Sequence, residues 1–155
     1  SDAGTIKRID YSLIKGGVAG TIGFRATASS QTIADQTFVK ITTWSESYDN
    51  GSCWDNSNAK FQPTTAGKYL VYGFIQKELG NNAQLVSTAI YKNGSAYEYA
   101  WEADANFTIG RSTNHLTTAV DMNGSSDYVE FYGYANVSSG TVNASGGVFG
   151  AFLII

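Results

Sequence analysis

A strand with one face in a core and one in water alternates apolar and polar side chains. Residues 68–77 do not. Tyr69, Val71, Gly73 and Ile75 make one apolar face, and Leu70, Tyr72 and Phe74 make a second. The stretch 148–155, Val-Phe-Gly-Ala-Phe-Leu-Ile-Ile, is again apolar on both sides. One face of each can fill a sandwich core, but the other needs a cover. Helical periodicity is almost absent, so the simplest cover is a second copy of the chain.

The other segments predict conventional strands between turn signals, the pattern of an antiparallel sandwich or barrel. Thr37, Val39 and Ile41 oppose Phe38 and Lys40; Val86, Thr88 and Ile90 share a face; Tyr97, Tyr99 and Trp101 alternate with Glu98, Ala100 and Glu102. Leu116, Thr118 and Val120 form another stripe, and Val129, Phe131, Gly133 and Ala135 oppose Tyr128, Glu130, Tyr132 and Tyr134. Asn93-Gly94 and Asn123-Gly124 each predict a hairpin turn. Polar loops are expected at 49–58 and 136–146. The expectation is an all-β, antiparallel sandwich of eight to ten strands over residues 24–155. Residues 1–23, with five glycines, read as an N-terminal arm that either anchors the domain or adds an edge strand.

Composition narrows the function classes. Charged residues are 15% of the chain, below the ~25% of ordinary soluble domains, and aromatics are 14%. That suits a protein with an extensive contacting surface. A net charge of −3 gives nucleic-acid binding no electrostatic support. No apolar run is long enough for a membrane-spanning helix, and no secretory signal is read. Residues 1–25 carry a balance of +2 (Lys7, Arg8, Lys15 and Arg25 against Asp2 and Asp10), and the remainder −5. Lys7, Arg8 and Lys15 are therefore candidates for anchoring to a more acidic partner.

Candidate chemistry is sparse. His115 is the only histidine and Cys53 the only cysteine, with no Gly-x-Ser-x-Gly elbow, so a nucleophilic triad and an intrachain disulfide both lack support. Glu46, Asp49 and Asp55, and separately Glu98, Glu102 and Asp104, are small acidic groups without calcium-loop spacing. Six Asn-x-Ser/Thr sequences are accounted for by turn-rich Asn, Ser and Gly. No cofactor, metal or catalytic residue is expected. The row Tyr97, Tyr99 and Trp101 could be core, an intersubunit contact or a ligand platform.

Several motifs, in order, resemble the globular head of complement-q, whose jelly roll the tumour necrosis factor ligands share. They are Phe61, Pro63 and Gly67-Lys68-Tyr69 with the strand that follows, then Ile90-Tyr91-Lys92-Asn93-Gly94 and Leu116–Asp121. Asp127-Tyr128-Val129-Glu130-Phe131 and Phe149–Ile154 complete the series. The resemblance implies a jelly roll that forms a homotrimer around its aromatic strands and is not an enzyme. Tyr72, Phe74, Tyr128, Tyr132, Tyr134, Phe149 and Leu153 are then the expected trimer contacts. Gly- and Asn-rich heads without collagen stalk or signal peptide look like bacteriophage virion proteins. The leading expectation is thus a capsid decoration protein on the virion surface, partnered by itself and by a major capsid protein. A fibre head binding a host surface glycan or protein, and a free carbohydrate-binding module, are the alternatives.

Overall fold

The structure, a computed structural model, describes residues 21–79, 83–103, 110–138 and 140–155. Twelve strands lie among them: β1 (Gly23–Ala28), β2 (Gln31–Ile33), β3 (Val39–Lys40), β4 (Trp44–Asn50), β5 (Trp54–Asp55), β6 (Lys60–Phe61), β7 (Gly67–Glu78), β8 (Ala83–Lys92), β9 (Ser95–Ala103), β10 (Arg111–Met122), β11 (Val129–Val137) and β12 (Val142–Leu153). They build two antiparallel sheets in a jelly-roll sandwich. Sheet A runs β10-β7-β12-β1-β4, with β2 also on β12; sheet B runs β5-β6-β11-β8-β9, with β3 also on β11. The expected fold is present, with more short strands than the pattern predicts. The N-terminal arm, apart from Thr21 to Gly23, falls outside the described residues.

The core is a set of rings interleaved between the sheets. Phe149 of β12 meets Phe24 at 4.9 Å, Phe131 at 5.0 Å, Trp54 at 5.6 Å and Trp44 at 5.7 Å between centroids. Phe24 of sheet A also stacks on Trp54 of sheet B, 4.6 Å apart and 5° from parallel. Tyr69, Val71 and Ile75 of β7 are fully buried beside them, as the alternation predicts. Edge-to-face and offset-stacked pairs add about 0.5–1.5 kcal/mol each beyond area burial.

Of the two expected hairpin turns, one is present and one is not. Asn93-Gly94 does close the β8–β9 hairpin, with φ of 53° and 76°, the left-handed pair a tight primed turn requires. Asn123-Gly124 does not close a hairpin: β10 pairs with β7 in sheet A, whereas β11 pairs with β8 in sheet B. The chain crosses between sheets here in a wider loop, organised by Asn123 Oδ1. That oxygen accepts from the backbone N–H groups of Ser125, Ser126 and Asp127. The polar loop expected at 49–58 is shorter than predicted, because Trp44–Asn50 pairs with β1 as an edge strand. Its side chains are mostly exposed, so it shows no apolar alternation.

One part of the interior is polar. Lys77 continues the inward face of β7 and is fully buried. Its Nζ donates to Thr88 Oγ1 at 3.0 Å and to Asn114 Oδ1 at 2.9 Å. Asn114 Nδ2 in turn donates to Glu102 Oε2 at 3.2 Å, and Ser112 Oγ donates to the same carboxylate oxygen. Burial pushes the Lys77 amine down from 10.5 to about 7, with the Glu102 charge opposing in part.

The centre of the ring cluster gives a direct test of the layer packing. Phe149→Ala is expected to destabilise the fold by about 3–5 kcal/mol, the usual cost of emptying a buried aromatic site. Phe152→Ala, three residues on but facing outward, should change monomer stability by within about 1 kcal/mol. Chemical denaturation of the two variants beside the parent measures both.

Candidate functional site

Each sheet carries aromatic side chains on its outer face. On sheet A the register sets Leu70, Tyr72 and Phe74 of β7 in the middle row. His115, Thr117 and Ala119 of β10 flank them on one side, and Val148, Gly150 and Phe152 of β12 on the other. The His115 ring is 4.8 Å from Phe74, and Tyr72 is 6.3 Å from Phe152. Phe152 is 37% exposed and Tyr48 of β4 is 43% exposed, at the margin of this apolar field. Tyr72 lies flat over its cross-strand neighbour Gly150. A Cβ there would come within 2.5 Å of the tyrosine ring, so only glycine admits the pose. Burial first, and then neighbouring Tyr48, push the Tyr72 phenol up.

On sheet B, Ser87 and Ala89 of β8 are small and fully buried, in register with Trp101 and Tyr134, and with Tyr99 and Tyr132. Phe38, just before β3, packs among the aromatic side chains of this face. Its ring is within 4.8 Å of Tyr134, 5.5 Å of Tyr99, 5.8 Å of Trp101 and 5.9 Å of Tyr91. Tyr99 and Trp101 stack at 5.6 Å and are 40% and 49% exposed. Tyr91 and Tyr132 stack at 4.0 Å. Tyr132 Oη donates to Glu130 Oε2 at 3.2 Å, and Glu130 pairs with Lys40 at 2.5 Å. Burial, then the Glu130 charge, push the Tyr132 phenol up to about 12.

The expected contact residues do not form one patch. Tyr72 and Phe74 lie outside sheet A, whereas Tyr132 and Tyr134 lie outside sheet B, on the opposite side of the molecule. Tyr128, beside them in chain order, is half-buried with Lys60 Nζ 5.2 Å above its ring. Phe149 and Leu153 are a correction: both are buried in the core and reach neither outer face. In β12 it is Phe152 and Val148 that point outward. The row Tyr97, Tyr99 and Trp101 is corrected in part. Ile90 pairs with Glu98 and Tyr91 with Ala96, so Tyr97 is the extra residue of a bulge. Its hydroxyl turns to the β10 edge and donates to the Ala119 carbonyl at 3.1 Å. Lys7, Arg8 and Lys15 lie outside the described residues. Phe38 was placed opposite Val39 and Ile41 by the alternation but not singled out as a site residue, since its ring partners lie far away in the chain and leave no local signal. Lys77 had one: it shares the parity of Tyr69, Val71 and Ile75.

Asp49 and Asp55 are engaged by the local chain, and Asp104 lies outside the described residues. Asp49 accepts from the Cys53 and Trp54 N–H groups, at 2.9 and 3.2 Å, and Asp55 from the backbone and side chain of Asn58. Among the described residues, no three His, Cys, Asp or Glu side chains converge on a metal-sized point. Cys53 is buried, and its thiol donates to Asp49 Oδ1 at 3.1 Å. Burial, then that hydrogen bond and the Asp49 charge, push the thiol well above its ordinary value, the reverse of an activated nucleophile. A shallow depression of about 480 Å³ beside Lys68, Asp121 and Ile155 is bordered by a mutually satisfied ion pair, 2.7 Å long.

Layer order and strand register define an antiparallel jelly-roll sandwich. Solved structures of that type align over most of the chain. The globular domain of a zebrafish complement 1qA protein matches with a TM-score of 0.63 and 10% identity, over 86% of this chain and 98% of its own. Eiger TNF from S. frugiperda matches at 0.65 and 10%, over 88% and 94%. Murine APRIL matches at 0.62 and 10%, over 85% and 98%. At such identity the likeness is one of fold. No protein-family profile and no curated protein sequence matches the chain.

The state of Cys53 is directly measurable. A thiol pushed up stays protonated at pH 8, so iodoacetamide should leave the native protein unlabelled and modify it once per chain after unfolding in denaturant, as read by mass. Labelling of the native protein at the rate of a free peptide thiol would contradict the geometry.

Proposed function

We propose that the chain is a non-enzymatic structural protein that assembles as a homotrimer through the outer face of sheet A and decorates a virion surface. The observation that carries the assembly is the continuous field of Leu70, Tyr72, Phe74, Val148 and Phe152, with His115 at its rim. A flat apolar face on a monomer marks a contact surface. A threefold ring joins one patch to a different patch on the next copy. Two separate aromatic faces on opposite sides of the sandwich supply the kind of unlike surfaces such a ring uses. The virion placement rests on the likeness of Gly- and Asn-rich heads to bacteriophage virion proteins, with a major capsid protein as the larger partner. The exposed Tyr99–Trp101 pair favours a second reading, a receptor-binding head whose sheet B face stacks against a host surface glycan.

Light scattering at micromolar concentration is expected to give three times the chain mass; a well-folded monomer would remove the reading. Tyr72→Asp should lower the mass to that of one chain without unfolding it, because the new carboxylate would be buried unpaired in the contact. Tyr72→Phe should leave the trimer intact. Quenching of Trp101 fluorescence by an oligosaccharide panel, lost in Trp101→Ala, separates the glycan-binding reading from simple decoration.

A further inference from the structure

The polar group inside the sandwich has the composition and order of a reacting set. We propose that Lys77 and Asn114 become joined by an autocatalytic isopeptide bond, with Glu102 relaying the proton between the two nitrogens.

Lys77 sits on β7 and Asn114 on the neighbouring β10. Lys77 is in register with Ser112, and Ile75 with Asn114, so the two side chains are diagonal neighbours on the inward face of sheet A. Lys77 is fully buried and Asn114 is 7% exposed. Among the described residues no carboxylate makes a direct ion pair with Lys77; a buried ammonium without one is costly, and losing its proton is the cheap way to keep it inside. The environment of Lys77 favours that: burial brings its amine to about 7. A desolvated, neutral lysine is a nucleophile.

Its target is in place. Nζ is 2.9 Å from Asn114 Oδ1, and the carboxamide carbon lies one C=O bond, about 1.2 Å, from that oxygen. The orientation of the amide is fixed by its partners. The lysine can only donate to Oδ1, and the carboxylate of Glu102 accepts from Nδ2 at 3.2 Å. The leaving nitrogen therefore already touches the group that must protonate it. Ser112 donates to the same Glu102 oxygen and holds it there. Thr88 Oγ1 accepts from Nζ and restrains the amine from the opposite sheet. From β12, the residue in register with Lys77 is Ala144, which brings no charge. Glu102 is the carboxylate whose charge acts on the amine.

The step balances without any co-reactant. The Nζ lone pair attacks the Asn114 carboxamide carbon, and the C=O π pair moves onto Oδ1. Bonding to that carbon brings Nζ alongside Nδ2, and so up to the Glu102 carboxylate that Nδ2 already touches; Nζ then gives that carboxylate one proton, which passes to Nδ2. The oxyanion re-forms the C=O bond, the C–Nδ2 bond breaks with its electron pair on nitrogen, and ammonia leaves. Glu102 ends as it began, and a secondary amide links the two strands. An amide is a poor electrophile, so the rate must come from fixed geometry and positioned proton transfer on rigid strands. The amine and the carboxamide are both buried, which limits hydrolysis of the intermediate.

Intact-mass spectrometry of the folded full chain tests this, followed by a protease digest. The expected mass is that of the sequence less one ammonia, and the digest should contain a branched peptide joining the Lys77 and Asn114 segments. Glu102→Gln, similar in shape but unable to carry the proton, should show the full mass and lose the branched peptide. A second readout is stability against pH. As a free amine, Lys77 holds its proton in the unfolded chain up to 10.5 but in the folded chain only to about 7. The unfolded state then binds more protons in that window, and stability rises with pH across it. Glu102→Gln should show that rise, and the linked parent should lack it. The parent at full sequence mass would overturn the proposal, even if the variant fails to fold. So would a loss of ammonia traced to succinimide at Asn50-Gly51, Asn93-Gly94 or Asn123-Gly124 with no branched peptide.

Discussion

The contact between Phe149 of one sheet and Phe131 of the other, 5.0 Å between ring centres, sets the separation of the two layers in this sandwich. Phe24, Trp44 and Trp54 pack around the same pair from three other strands. Interiors are packed like crystals and have little room to adjust. A shift at this point would therefore propagate to every strand that carries an outward residue. Leu70, Tyr72 and Phe74 face outward because Tyr69, Val71 and Ile75 are pinned inward between them. The outer faces follow from the inner contact, and so does the placing of Lys77, the next inward residue after Ile75.

Outer and inner surfaces use different means of filling space. Inside, ring meets ring across the gap. Outside sheet B, Phe38 comes from a short neighbouring segment to pack beside Tyr134, whose register partner is the small Ser87. Outside sheet A, Tyr72 covers Gly150. In both cases a large ring on one strand makes up for a small residue on the next, which keeps the faces flat. Flat faces suit docking against another surface better than enclosing a small molecule.

Much of this was legible in the sequence, for a local reason. In β7 and β11 every second residue is committed to the core, so the period of two shows through. The fold class and the inward sets of those strands follow from it. What was not legible depends on distant partners. Trp44–Asn50 is a strand because β1 offers it an edge, not because its own side chains alternate. The Asn123-Gly124 step looks like a hairpin locally, yet its flanking strands belong to different sheets. One unpaired residue at Tyr97 turns that tyrosine out of the row formed by Tyr99 and Trp101. Phe149 and Leu153 were expected outside because β12 is apolar on both faces, and only the packing of its neighbours decides which face is inner. The cluster of Lys77, Asn114 and Glu102 spans three strands, and no short motif could announce it.

The position of β12 bears on how the chain reaches this state. It lies between β7 and β1 in sheet A, pairing with β7 along most of its length and with β1 along half of it. It follows both of them in the chain, so the middle of the sheet is made after its flanks. During synthesis from the N-terminal end, β1 and β7 emerge with their shared partner still missing, and each presents an unpaired edge. The sheet cannot close in stages, and closing it requires contacts between the two ends of the sequence. Such non-local topologies fold slowly. For as long as the edges stay open, the nearest substitute for the missing strand is the same strand from another chain.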